Sequence, residues 1–67
     1  MDESTFLSLR AKRIELERNC TDPEVWTILA DEFDKIGAYT NAALCRGRAA
    51  CYQLLVEYQE KLAAYAV

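Results

Sequence analysis

Glycine occurs twice, proline once and histidine nowhere in the 67 residues. So few breakers exclude a turn-rich fold, and no stretch shows the strict alternation of a half-buried strand. Without histidine, a general base near neutral pH must be a carboxylate, lysine or cysteine with a strongly shifted pKa. There is no phosphate-binding loop and no dinucleotide fingerprint. The three cysteines, Cys20, Cys45 and Cys51, are an odd number without CxxC spacing. That argues against a disulfide framework and against a four-ligand zinc site, and it predicts a reduced, cytosolic setting. No apolar run approaches the ~20 residues of a membrane helix. The formal net charge of −3 disfavours general binding to nucleic acid. The acidic cluster Asp31, Glu32 and Asp34 reads as a solvated helix face. These absences predict a protein that is not an enzyme and needs no cofactor.

What is present favours helix. Alanine, leucine, glutamate and arginine dominate, all good helix formers. Hydrophobic residues make up 52% of the chain, a large share for one so short. A domain of this size buries only about 60% of its unfolded surface. With disulfides and metal disfavoured, oligomerisation is the expected source of extra stability. One domain, residues 1–67, is expected, all-α, with three helices at about 4–19, 23–36 and 40–65.

The first helix carries two apolar groups at helical spacing. Phe6, Leu9 and Leu16 form one, continuing toward Cys20; Leu7, Ala11 and Ile14 form the other. Thr21-Asp22-Pro23-Glu24 then holds two overlapping start signals. Asp22 suits the N-cap with Pro23 at the first helical position. Thr21 with Glu24 has the spacing of a capping box. Trp26, Leu29, Ala30, Phe33 and Ile36 give the second helix one apolar face. Gly37 suits the left-handed position just past its end. The short turn predicts that the third helix returns antiparallel.

Read in heptads, the third helix has two seams. Ala42, Cys45, Ala49, Tyr52, Val56 and Ala63 form the first; its small early residues suit Trp26 and Phe33 opposite. Leu44, Cys51, Leu55, Tyr58, Leu62 and Tyr65 form the second, with Arg48 as its polar exception. The first helix is expected to cover the early part of that second seam. Beyond it, Leu54 to Tyr65 extends past the reach of the second helix. The expected partner and dimer interface is therefore Leu44, Arg48, Cys51, Leu54, Leu55, Tyr58, Leu62 and Tyr65. Three occupants compete for it: a second copy, which two-fold pairing favours, a different protein, or the first helix swung outward. Arg48 either pairs with a carboxylate of a partner helix and sets register or extends to solvent.

Arg10, Lys12, Arg13 and Arg46 are a candidate basic contact face, with Arg18 and Arg48 nearby. Contact with DNA or an acidic partner is one reading. An ordinary helix surface neutralised by Glu15, Glu17 and the acidic second helix is the other, and nucleic acid is the less expected partner.

The set Trp26, Leu29, Ala30, Phe33, Gly37, Tyr39, Ala42 and Ala49 resembles one tetratricopeptide-type hairpin. Ala30 stands at the usual glycine, Arg46 at the later bulky aromatic position, and the closing proline is absent. A single hairpin does not form the concave groove of a repeat array. The resemblance thus implies a helical hairpin and a protein-binding role. Asn41, Cys45, Arg48 and Ala49 also resemble the N-x2-W-C-x2-R-A-x2-C ending of small enterobacterial and phage regulators that bind and inhibit AraC-type activators. Leu44 replaces that tryptophan, and Cys51 is displaced by one residue. This likeness implies a small inhibitor of a larger protein. The expected function is a non-catalytic interaction module, homodimeric and cytoplasmic. A small DNA-associated regulator and a structural subunit or chaperone are the alternatives.

Overall fold

The structure, a computed structural model, describes residues 3–65. Three α-helices follow in order: α1 (Glu3–Asn19), α2 (Pro23–Lys35) and α3 (Tyr39–Tyr65). No strand occurs among the described residues. The all-α class, the three helices and the hairpin with a long final helix agree with the sequence-based expectation.

The start of α2 is set by Asp22. Its backbone is extended, and its carboxylate accepts the Glu24 amide at 2.9 Å while Pro23 occupies the first turn. Of the two start signals, the Asp-Pro cap is the one used. The other end closes on Gly37, whose φ of +79° is left-handed. The Ala38 amide donates to the Phe33 carbonyl (2.9 Å) and the Gly37 amide to Asp34 (3.0 Å). This is the Schellman arrangement, and it turns the chain back within three residues.

The buried residues are Trp26, Leu29, Ala30 and Phe33 of α2, Ala38 of the turn, and Ala42, Cys45 and Ala49 of α3. The logic is bulky against small. Trp26 and Phe33 have no exposed surface, and neither do Ala42 and Cys45. The small residues let the α3 backbone approach, and the aromatics fill the space that remains. Each fully buried large side chain contributes about 1.5–3 kcal/mol through lost water contact.

Helix α1 contributes no fully buried residue. It lies along the hairpin through half-buried Phe6, Leu9 and Leu16. Phe6 meets Phe33 edge-on, with ring centres 6.3 Å apart. At the other end, the Trp26 indole N–H donates to the Cys20 carbonyl (2.9 Å), pinning the α1–α2 connection to the core. Glu17 sits beside Arg48 of α3. With Phe6 near the end of α2 and Glu17 near the middle of α3, α1 runs antiparallel to α2 and parallel to α3.

Both shorter helices stop near the level of Tyr52. At 27 residues, α3 spans roughly 40 Å, about twice the length of α2. The molecule measures 51 × 18 × 13 Å, with a radius of gyration of 14.3 Å against about 11 Å for a compact chain of this length.

Candidate interaction surface

The strip on α3 is built by helical phase. Leu44, Arg48, Cys51, Leu55, Tyr58, Leu62 and Tyr65 recur at alternating three- and four-residue steps, so they line one side over roughly 31 Å. Leu54 adjoins that side. The core face of α3, marked by Ala42, Cys45 and Ala49, points elsewhere. Leu44 is 54% exposed, Leu54 66%, Leu62 49% and Tyr65 89%. Cys51, Leu55 and Tyr58 are exposed too. From Gln53 to Tyr65 only Val56 is even half-buried.

One expectation changes here, and one of the three alternatives falls away. Helix α1 was expected to cover the early second seam, yet Leu44 and Cys51 stay exposed. The apolar residues of α1 that bury, Phe6, Leu9 and Leu16, follow the groove where the large side chains of α2 lie, because that groove offers more apolar contact. Nor does α1 swing outward over the overhang; Phe6 and the Cys20 carbonyl hold it against Phe33 and Trp26. The uncovered strip therefore runs the whole length of α3, and the overhang only continues it.

Arg48 has partners within its own chain. Its guanidinium donates to Glu17 at 3.2 Å and lies over the Trp26 ring, 5.4 Å from the ring centre. It leans toward α1, away from the middle of the strip. Trp26 also packs against Tyr52 at 6.4 Å. On the outer side, Ala43, Leu44, Gly47, Arg48, Cys51 and Tyr52 line a shallow, mainly apolar groove. Gly47 and Ala43 form its low floor, because neither projects past Cβ.

The basic candidates are not brought together as one face. Arg10 and Lys12 are both exposed but two residues apart, which sets them about 200° apart around α1. Arg13 donates to Glu17 at 2.7 Å. Arg46 bridges to Asp31 (3.0 Å) and Asp34 on the α2 side of α3. The Asp34 hydrogen bond, more than any other influence, raises the Arg46 pKa further. Three of the six arginines and lysines considered, Arg13, Arg46 and Arg48, thus already meet carboxylates of this chain.

The thiols separate by burial. Cys45 is enclosed, and loss of hydration pushes its pKa up, keeping it a protonated apolar filler. Cys20, in the connection between α1 and α2, is half-buried, and its carbonyl accepts from the Trp26 indole. Cys51 is the exposed thiol. Leu7 and Ile14 of α1 are a further feature, 50% and 40% exposed. Helical phase puts Ile14 one turn from Glu17 and sets Leu7 and Ile14 both well off the face of Phe6, Leu9 and Leu16. Their seven-residue spacing was visible in sequence; that this second group stays outside was not.

No helix of the described residues is long and apolar enough to cross a membrane. Comparison with protein families, with curated proteins and with solved structures gives no match.

Proposed function

We propose that the chain is a non-catalytic protein-interaction module: a small homodimeric regulator that binds a larger protein and inhibits it. The observation that carries this reading is the apolar strip from Leu44 to Tyr65, uncovered along its whole length. Soluble monomers rarely leave a contiguous strip of this kind in water, and such strips mark interfaces. The inhibitory direction rests on the likeness of Asn41, Cys45, Arg48 and Ala49 to the small regulators of AraC-type activators. A reducing, cytoplasmic setting belongs to the same reading, since all three cysteines are free.

Sedimentation velocity at micromolar concentration tests the assembly. The wild-type chain is expected to sediment as a dimer. Leu62→Glu is expected to give a folded, helical monomer, because an unpaired carboxylate in an apolar seam costs several kcal/mol. A wild-type monomer, or a dimer indifferent to this substitution, would sink the reading. A DNA-associated role has less support, because Arg13, Arg46 and Arg48 are engaged by acidic neighbours. A duplex shift at low salt that falls steeply with ionic strength would revive it.

A further inference from the structure

We infer that α1 is a hinged lid: it swings off the α2–α3 hairpin about Cys20–Asp22 as one unit while the hairpin stays folded, and Arg13 inside its docking face keeps that opening easy. The motion does not depend on what covers the α3 strip.

The junctions between helices are built differently. α2 meets α3 over a broad interface whose buried residues include no charged group. α1 touches α2 far less, and α3 less still. None of its residues is buried. Its docking face is Phe6, Leu9, Arg13 and Leu16, with Cys20 just past the end, at alternating steps of three and four residues. Each of the five is only half-buried. Apolar stabilisation follows the area taken out of water, so α1 is held by a fraction of what joins α2 to α3.

The charge in the middle of that face weakens the hold further. The Arg13 side chain is 20% exposed, so most of it has left water. Its Nη1 donates to Glu17 at 2.7 Å. Its Nε is buried with no hydrogen-bond partner, and among the described residues this is true of no other buried side-chain nitrogen or oxygen. An unpaired buried donor costs its hydration in full, and lifting α1 returns this one to water. The Arg13–Glu17 pair does not offset that cost by holding the lid down, because both residues belong to α1. Only the contact of Glu17 with Arg48, at 3.2 Å, crosses to α3. It uses the same carboxylate oxygen and joins side chains 29% and 45% exposed, and ion pairs that open to water contribute little.

The anchors differ along α1, and that places the hinge. At its C-terminal end the Trp26 indole N–H donates to the Cys20 carbonyl at 2.9 Å, and the Asp22 cap with Pro23 stops α1 and α2 from merging into one helix. These contacts hold the pivot. At the other end Phe6 closes the lid edge-on against Phe33. Opening from that end bares the edge of Phe33. The Asp22 cap and the Gly37 turn use no atom of α1, so the hairpin keeps both when the lid lifts.

Amide hydrogen exchange of the full chain, followed by NMR at rising urea below the unfolding transition, separates lid opening from unfolding. Amides from Arg10 to Glu17 are expected to share one opening equilibrium, at least about tenfold more populated than the opening that exposes Leu29 to Phe33. Its urea dependence should be shallower, because less surface is uncovered. Gly37→Ala weakens the hairpin turn and leaves the lid alone. It should speed exchange at Leu29 to Phe33 about tenfold and leave Arg10 to Glu17 within about twofold of wild type. Arg13→Met removes the unpaired donor at similar helix propensity and should slow α1 exchange roughly fivefold. Equal opening equilibria and urea slopes in α1 and α2, or α1 speeding in step with α2 on Gly37→Ala, would mean a single folding unit and no lid. Rates that fall steadily from Arg10 to Glu17 would mean end fraying and overturn the hinge. Faster α1 exchange in Arg13→Met would overturn the part given to Arg13. Each comparison is between α1 and α2 of the same chain, so failure here leaves the proposed interaction role standing, and loss of that role leaves the lid standing.

Discussion

The first half of α3, from Tyr39 to Tyr52, and its second half, from Gln53 to Tyr65, have a similar share of apolar residues and opposite surroundings. The first half presents Ala42, Cys45 and Ala49 to Trp26 and Phe33 and is buried along one face. The second half carries Leu54, Leu55, Tyr58 and Leu62, larger and more apolar, and leaves all four exposed. An isolated helix of about 13 residues is marginal in water. The second half is helical because it propagates from a packed first half and because its residues are good helix formers. The difference teaches that large apolar side chains on α3 do not build the core here. Small residues opposite aromatics do, and the large ones on α3 are left for another surface.

Substitutions in the packed half should have the largest effect. Trp26→Ala removes the indole, its hydrogen bond to the Cys20 carbonyl and the surface beneath Arg48. A loss of about 3–5 kcal/mol is expected, enough to unfold a chain this small. Far-UV circular dichroism and urea titration would show it, and a variant that stays cooperative within ~1 kcal/mol of wild type would contradict the assigned core. Next comes the turn that lets the two helices meet. Gly37→Ala meets no steric obstacle, so its expected cost of about 1–2 kcal/mol is the left-handed backbone alone. Asp22→Ala removes the cap on the Glu24 amide and should cost about 1 kcal/mol. Both are read from urea midpoints at unchanged slope.

The smallest expected effect lies in the overhang. At concentrations where monomer prevails, Leu54→Ala should change unfolding free energy by no more than about 0.5 kcal/mol, as for other open surface positions. A larger loss in the monomer would mean that the overhang is packed in solution. Thiol chemistry offers a further comparison without mutation. Cys51 should react first with a soluble disulfide reagent, Cys20 more slowly, and Cys45 only on unfolding. Burial raises the Cys45 pKa, so the folded state holds that proton longer than the unfolded chain does. Its contribution to stability is therefore complete below the ordinary thiol value of 9.0 and is lost as pH rises through the raised one. Cys45→Ala should remove that alkaline component from a stability-against-pH curve.

Much of the hairpin could be read in advance. The Asp22-Pro23 start, the Trp26 to Phe33 face and Gly37 are local signals whose physics acts within a turn or two, so their positions survive folding unchanged. The strip on α3 was legible for the same reason, since heptad spacing alone puts Leu44 to Tyr65 on one side. Its covering was not. Whether α1 lies on that strip or beside it depends on which groove offers more contact, and Phe6 against Phe33 is a pairing between residues 27 positions apart. Arg48 shows the same limit. Its place in the seam is a matter of spacing, while its engagement by Glu17 and Trp26 needs three helices in register.

The sequence by itself thus determined the three helices, their caps and the phase of each apolar face, because propensity, capping and periodicity act locally. Only the tertiary structure decided where α1 docks, which thiol is open, how the arginines are neutralised and that the whole strip is left bare. Those outcomes come from competition among distant surfaces for the same contacts, and no local pattern encodes its result.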